Sequence, residues 1–219
     1  MNSPRLKVDE NILQMPTDAA GGDARSALGA AERPIVELLN VSKNYSSHVA
    51  IKSLTFSVKH GETIALLGRT GAGKSTVLNL IMGHISPTSG TIRVLGVDPH
   101  KSSAELKGRM AVSFQTDCLL PWRTALQNVE LGLEITAENK RTRHAVASSW
   151  LDRVKLAPEH WHKFPRELSG GMRQRVSLAR ALAINPELIL LDESFSQLDH
   201  ATSRQLRNDF TSQIGRAHV

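Results

Sequence analysis

The chain of 219 residues is 40% hydrophobic and 22% charged, close to globular averages, and long enough for one well-buried domain but short for two. Cys118 is the only cysteine, which excludes an internal disulfide and every cysteine-based metal spacing. A formal charge of +6 suits an anionic partner such as a phosphate ligand, an acidic membrane face or nucleic acid; with aromatics at 4% and no basic-aromatic stripe along a sheet face, nucleic acid is not expected.

Residues 1–34 are rich in Ala, Gly, Asp and Pro, hold no aromatic residue and show no sustained apolar period, so a flexible N-terminal extension is expected there. They also lack the apolar core of a secretory signal, and nowhere does the chain approach the roughly 20 apolar residues of a bilayer span, so it is expected to remain in the cytosol. From Ile35 the pattern changes. Ile35 to Val41 and Ala50 to Val58 mix β-branched and aromatic residues at strand lengths, with Tyr45-Ser46-Ser47 as the turn of an antiparallel ribbon.

Thr63 to Leu67 is a short continuous apolar run ending in Gly68, the pattern of a strand buried on both faces. Lys74 to Met82 reads as a helix with Gly83 near its end. Thr91 to Leu95 and Met110 to Phe114 follow as strands, Ala137 to Lys155 and Gly170 to Ala183 as helices, and Leu188 to Leu191 as a buried strand. Strands alternating with helices imply an α/β fold with a mostly parallel core sheet, whose ligands bind beyond the strand C-termini.

Between the strand ending at Leu67 and the helix from Lys74, the run Gly68-Arg69-Thr70-Gly71-Ala72-Gly73-Lys74-Ser75 matches G-x-x-x-x-G-K-[ST]. Glycines there let backbone N–H groups converge on phosphate oxygens, and the following helix adds the positive end of its dipole. Lys74 is expected to reach the β- and γ-phosphates, Ser75 to bind Mg²⁺ and Thr76 to contact the α-phosphate. The strand Leu188 to Leu191 delivers two adjacent carboxylates at its C-terminal end. Asp192 is suited to hold Mg²⁺ and Glu193 to polarise an attacking water as general base. Between these motifs Ser169 caps a basic helix opened by Gly170 and Gly171.

Leu168-Ser169-Gly170-Gly171-Met172-Arg173-Gln174 resembles the LSGGQ-x-Q signature of ABC transporter nucleotide-binding subunits, with Met172 in the first Gln position. The order of phosphate loop, Gln115 after a strand, signature, carboxylates and Leu198-Asp199 is similar to that family over about Ile35 to Phe210. The resemblance implies a P-loop ATPase of ABC type, with a domain over 35–213 that is incomplete at its C-terminus and a helical subdomain over about 116–167. It implies ATP and Mg²⁺ as cofactors and a dimer with two shared sites. Tyr45 would stack on adenine, Gln115 would contact Mg²⁺ and the attacking water, and Ser169 and Gly171 would grip the γ-phosphate held by the other subunit. Asp199 would connect the two sites. Leu119 to Thr124, followed by Asn128-Val129, resembles the nitrate/sulfonate/taurine importer branch. There the region after the Gln faces a membrane permease, which in turn works with an external solute-binding protein. The implied location is the cytoplasmic face of the inner membrane, as a peripheral subunit. Trp122 reads either as an exposed binding residue or as a cap on the helical core.

Ser194 stands where the family usually has Pro, and Gln197 where Ala is common. Neither His200 nor His218 follows a buried strand as the family's switch His does, and Ile214 to Val219 resemble a translated sequencing adapter, so an artefactual tail is expected over 214–219. A chain of this literal length is expected to be unstable or inactive, which keeps a catalytically inert nucleotide-binding fragment as an alternative. A non-transport ABC ATPase is the other, although the span from Gly73 to Leu168 has room only for a compact helical subdomain. His160 and His162 flank Trp161 without further ligands and read as surface residues.

Overall fold

The computed structural model describes residues 7–9, 34–46, 48–62, 64–69, 71–114, 116–136 and 138–192. Most of the expected extension therefore lies outside the described residues, as do Ser47, Thr63, Thr70, Gln115 and Ala137. So does every position from Glu193 onward, including Ser194, Gln197, Leu198, Asp199, His200 and the tail. The described residues fall into two compact units divided between Leu106 and Lys107.

The first unit is built on the expected ribbon. Strands β2 (Pro34–Tyr45) and β3 (His48–Lys59) pair antiparallel, and the ladder runs out to Tyr45 opposite His48 because Ser46, at φ 46°, makes a tight left-handed turn. The ribbon is thus longer at its turn end than the apolar runs alone imply. Val36 and Leu38 are buried one residue apart, but the next buried position is Val41, not residue 40. A register shift between Leu38 and Val41 supplies the extra residue, with Asn40 at φ 50°. Since side chains alternate faces along a strand, one inserted residue is what returns Val41 to the buried face. Strand β5 (Ser89–Val94) adds antiparallel to the other edge of β2, giving the order β3-β2-β5 and placing Ile92 and Val94 on the same buried face. Helix α1 (Lys74–Ile81) packs on β3 and β5 and buries Val77, Leu80 and Ile81, the i, i+3, i+4 stripe of an amphipathic helix.

Two further strands of this unit depart from the expectations. Lys7–Asp9, inside the stretch read as flexible, forms β1 and runs antiparallel to β4 (Ala65–Leu67). The apolar run before Gly68 is half-buried at Ala65 and Leu66 and exposed at Leu67, rather than buried on both faces. Its one partner among the described residues is β1. An apolar run signals that a strand wants cover, but it does not encode which strand supplies it or in what direction.

The second unit joins a parallel pair to a helical cluster. Strands β6 (Met110–Ser113) and β7 (Leu188–Leu191) are in parallel register, Met110 opposite Leu188 and Ser113 opposite Leu191. Parallel neighbours require a long crossover, and here it contains α2 (Ala125–Ile135), α3 (Lys140–Arg153) and α4 (Gly170–Ala183). At the N-terminal end of the pair Arg109 grips Glu187 through two bonds of 2.6 and 3.1 Å. Helix α3 is shorter than expected because the Asn139 side chain accepts from the Thr142 N–H and caps it. Helix α2 was not anticipated, yet its start carries a capping box: the Thr124 hydroxyl accepts from the Gln127 N–H while the Gln127 side chain accepts from the Thr124 N–H. The three helices share one core of Leu126, Val129, Leu133, Trp150, Leu151, Val154, Val176, Leu178 and Leu182.

Leu151 is fully buried at the centre of this cluster. Leu151→Ala is expected to cost about 2–5 kcal/mol, read as a lower midpoint in urea unfolding followed by far-ultraviolet circular dichroism.

Candidate functional site

The first unit carries the phosphate loop. Gly68 and Arg69 leave β4, Gly71 turns with φ 83°, and the N–H of buried Ala72 donates to the Arg69 carbonyl at 3.0 Å. Gly73 precedes α1 with φ 92°, and a Cβ built there would lie 2.8 Å from the Ala50 carbonyl oxygen of β3. Glycine is thus required twice over, by conformation and by the strand passing behind it. No side chain caps α1, and its first turn holds no acidic residue. The opening N–H groups and the positive dipole end are left for an anion. The Lys74 ammonium donates to the Gly68 carbonyl at 2.6 Å and to Arg69 at 3.3 Å, which draws its charge over the loop. Ser75 is exposed and Thr76 half-buried in the first helical turn.

A backbone loop closed to a Cβ at Gly73, an uncapped helix start and one lysine over it fit a phosphate chain. Strand β3 passes Gly73 at Ala50, two residues beyond His48, the partner of Tyr45, so the turn end of the ribbon and the loop are neighbours. The Tyr45 ring is 46% exposed, with the Lys43 ammonium 5.1 Å from its centroid. An aromatic face open to solvent beside an anion cradle suits a flat heterocycle carrying phosphates.

The second unit carries the acidic and signature elements. Asp192 stands at the C-terminal end of β7, half-buried, and its N–H donates to the Ser113 carbonyl at 2.9 Å, continuing the parallel ladder past the strand. The Ser75 hydroxyl and the Asp192 carboxylate are both oxygen donors of the kind a hard divalent cation takes. Among the described residues no group of three His, Cys, Asp or Glu forms a metal cluster. Ser169 caps α4, its hydroxyl accepting from the Met172 N–H at 3.3 Å, while Leu168 before it is buried as an anchor. Gly171 is half-buried, and a Cβ there would meet nothing within 4 Å. Gln115 and Glu193 lie outside the described residues.

The segment after Gln115 is organised by Asn128 and Arg123, both within the stretch whose pattern resembles the importer branch. The Asn128 side chain is fully buried and makes four bonds: it accepts from the Leu120 N–H at 2.8 Å and donates to the carbonyls of Leu120, Arg123 and Thr124 at 3.2, 3.0 and 3.0 Å. Arg123 adds a 2.9 Å pair with Glu134. The loop so fixed presents Trp122 at 70% exposure, so Trp122 is not a cap on the helical core. An asparagine on the same stripe as Ala125, Val129 and Leu133 is the sequence signal for such a hub, because a buried amide must find partners. Arg173 donates to the Asp117 carboxylate at 2.7 Å and to the Leu168 carbonyl at 2.9 Å; Arg180 donates to the carbonyls of Cys118 and Asp117 at 2.8 and 3.1 Å. Burial lowers the pKa of Arg180, with Cys118 and Asp117 opposing, and the guanidinium remains cationic at neutral pH.

A family profile described as ABC transporter matches residues 51–196, more than half of the chain. The chain belongs to the ABC transporter family. The chain is 42% identical over 173 residues to the taurine import ATP-binding protein of Yersinia pestis, an alignment covering 78% of this chain and 66% of that protein. It is also 42% identical over 160 residues to the nitrate import ATP-binding protein of Synechocystis, covering 73% of this chain and 58% of that one. The matched region thus spans 66% and 58% of the length of these two relatives. Among solved structures, a dimeric ATP-binding cassette in a post-hydrolysis state bound to ADP and Pi superposes with a TM-score of 0.69 at 33% identity, over 79% of this chain and 80% of that one. The α/β architecture with its phosphate loop is therefore that of an ABC cassette.

Asn128→Asp keeps the acceptor for Leu120 but sets a carboxylate against three carbonyls. The variant is expected to lose at least about 1–3 kcal/mol of stability and to shift its thermal midpoint down accordingly.

Proposed function

We propose that the chain is the ATP-hydrolysing motor subunit of an ABC importer for small solutes of the nitrate, sulfonate or taurine type. The observation that carries this is the cradle at Gly73, an uncapped helix start under Lys74, in a chain whose relatives are named as taurine and nitrate import ATP-binding proteins. Gly68 to Gly73 offer backbone N–H groups to phosphate oxygens, and Lys74 exchanges its loop carbonyls for the β- and γ-phosphates. Tyr45 stacks on the adenine, and Thr76 contacts the α-phosphate. Ser75, Asp192 and Gln115 would hold Mg²⁺, which would neutralise charge on the transferring phosphoryl group. Glu193 takes a proton from the attacking water, held in line with the γ-phosphorus. Catalysis of this kind rests on positioning and charge stabilisation rather than covalent chemistry.

Two copies close on two nucleotides, Ser169 and Gly171 of each gripping the γ-phosphate bound by the other. The dimeric relative bound to ADP and Pi supports this assembly. A helix N-terminus again supplies the anion site, since α4 opens on Ser-Gly-Gly without an acidic residue in its first turn. Trp122 with Pro121 and Arg123 forms the face for the permease, consistent with the weight aromatic and arginine residues carry in interfaces. The subunit works at the cytoplasmic face of the membrane, and none of its described helices is long and apolar enough to cross one.

Lys74→Ala is expected to weaken ATP binding by at least about tenfold in titration calorimetry, the loss of one charge-assisted contact. In the full-length subunit Glu193→Gln should retain ATP binding while phosphate release stops; turnover at the wild-type rate would refute its assignment as base.

A further inference from the structure

Two arginines one above the other on α4, Arg173 and Arg180, converge on the same short segment. Arg173 ties the Asp117 carboxylate to the Leu168 carbonyl, the residue before Ser169. Arg180 forks onto two consecutive carbonyls, Asp117 and Cys118. Four residues further on stands exposed Trp122, on a loop whose carbonyls at Leu120, Arg123 and Thr124 are all taken by buried Asn128. Cys118 adopts a left-handed φ of 46°, a conformation the fork from Arg180 holds in place at its carbonyl. Between Ser169 and Trp122, the backbone at Leu168, Asp117, Cys118 and Leu120 is thus held by a planar guanidinium or an amide.

We infer that Arg180, assisted by Arg173, is a positioning residue that locks the Asp117–Thr124 loop to the signature helix, so that force applied at Trp122 moves Ser169. The inference rests on the proposed importer function, because it assigns the load to a permease. Fork geometry is the essential property. A lysine keeps the charge but replaces two nitrogens held in one rigid plane by a single rotatable ammonium, so an Arg-to-Lys exchange separates fixed positioning from simple charge. Arg180 is placed on no substrate-binding group, and its removal acts on transmission rather than on the nucleotide.

The test uses the full-length subunit, alone and assembled with its permease in lipid nanodiscs, with Arg180→Lys and Arg180→Met. Wild type must hydrolyse ATP faster when assembled; if it does not hydrolyse ATP at all, the proposed function fails and takes this inference with it. Both variants are expected to lose permease-dependent stimulation by about fivefold or more, the lower range of coupling between sites, while hydrolysis by the isolated subunit and its KM stay within about twofold. Full rescue by lysine, or equal losses in the isolated and assembled states, would overturn the inference and leave the importer assignment standing. Hydrogen exchange provides a second measurement on the full-length subunit. The amides of 118–120 and 122–124 should lose protection in Arg180→Lys while those of α1 keep theirs, and unchanged protection there would equally overturn it.

Discussion

A helix begins with N–H groups that its own backbone cannot satisfy, and α1 begins where no side chain satisfies them either. Much of the first unit can be understood from that constraint. For the groups to remain open, the chain must turn sharply into the helix, which only glycine does at φ 92°; for them to be held still, β3 must pass close behind, which again only glycine permits. The ribbon and its bulge at Asn40 bring β3 to that place with Ile51 buried and Ala50 against the loop. The stripe of Val77, Leu80 and Ile81 then anchors the helix to the sheet. Apolar packing holds an uncapped helix start in fixed shape, which is why the binding function sits at an element terminus and not in the core.

The second unit solves a different problem, that of fixing irregular chain. Residues 116–124 form no helix or strand, and a segment of that length would be expected to be mobile unless its carbonyls were claimed. They are claimed by side chains that cost free energy to bury alone: Asn128 within an apolar stripe, and Arg180 with its pKa lowered by desolvation. Each becomes tolerable because its side-chain hydrogen bonds go to backbone groups of the same segment. The polar interior therefore specifies one loop conformation. The apolar core around Leu151 and Val129 would accept many.

The phosphate loop, the signature and the strand before Asp192 were legible because each joins a fixed residue pattern to an element boundary: Gly73 to a helix start, Ser169 to an N-cap, Leu188–Leu191 to a strand end. What escaped the sequence depended on partners distant in the chain. β1 could not be foreseen because Lys7–Asp9 has no apolar alternation of its own and is ordered by pairing with Ala65–Leu67. The bulge at Asn40 appears in the sequence only as a break in phase. Helix α2 is masked in the sequence although Thr124 and Gln127 spell a capping box, because the apolar residues after them are interrupted by Asn128 and Gly132. Both interruptions have structural reasons. Asn128 is the hub of the loop, and a Cβ on Gly132 would lie 2.6 Å from the Ile184 side chain.

The exposure of Trp122 follows from the same economy. A tryptophan left in water forfeits roughly 2 kcal/mol or more of burial that a core position would return, and the apolar cluster of α2, α3 and α4 already contains Trp150 and Trp161 in sheltered positions. The loop could have folded Trp122 inward only by rotating its backbone, which would release the three carbonyls that Asn128 holds. Four hydrogen bonds to a fully buried amide outweigh one indole, so the ring is kept outside by the hub beneath it. An apolar side chain fixed in solvent by polar contacts within its own fold needs little further ordering to bind, and its burial is left for another molecule to provide.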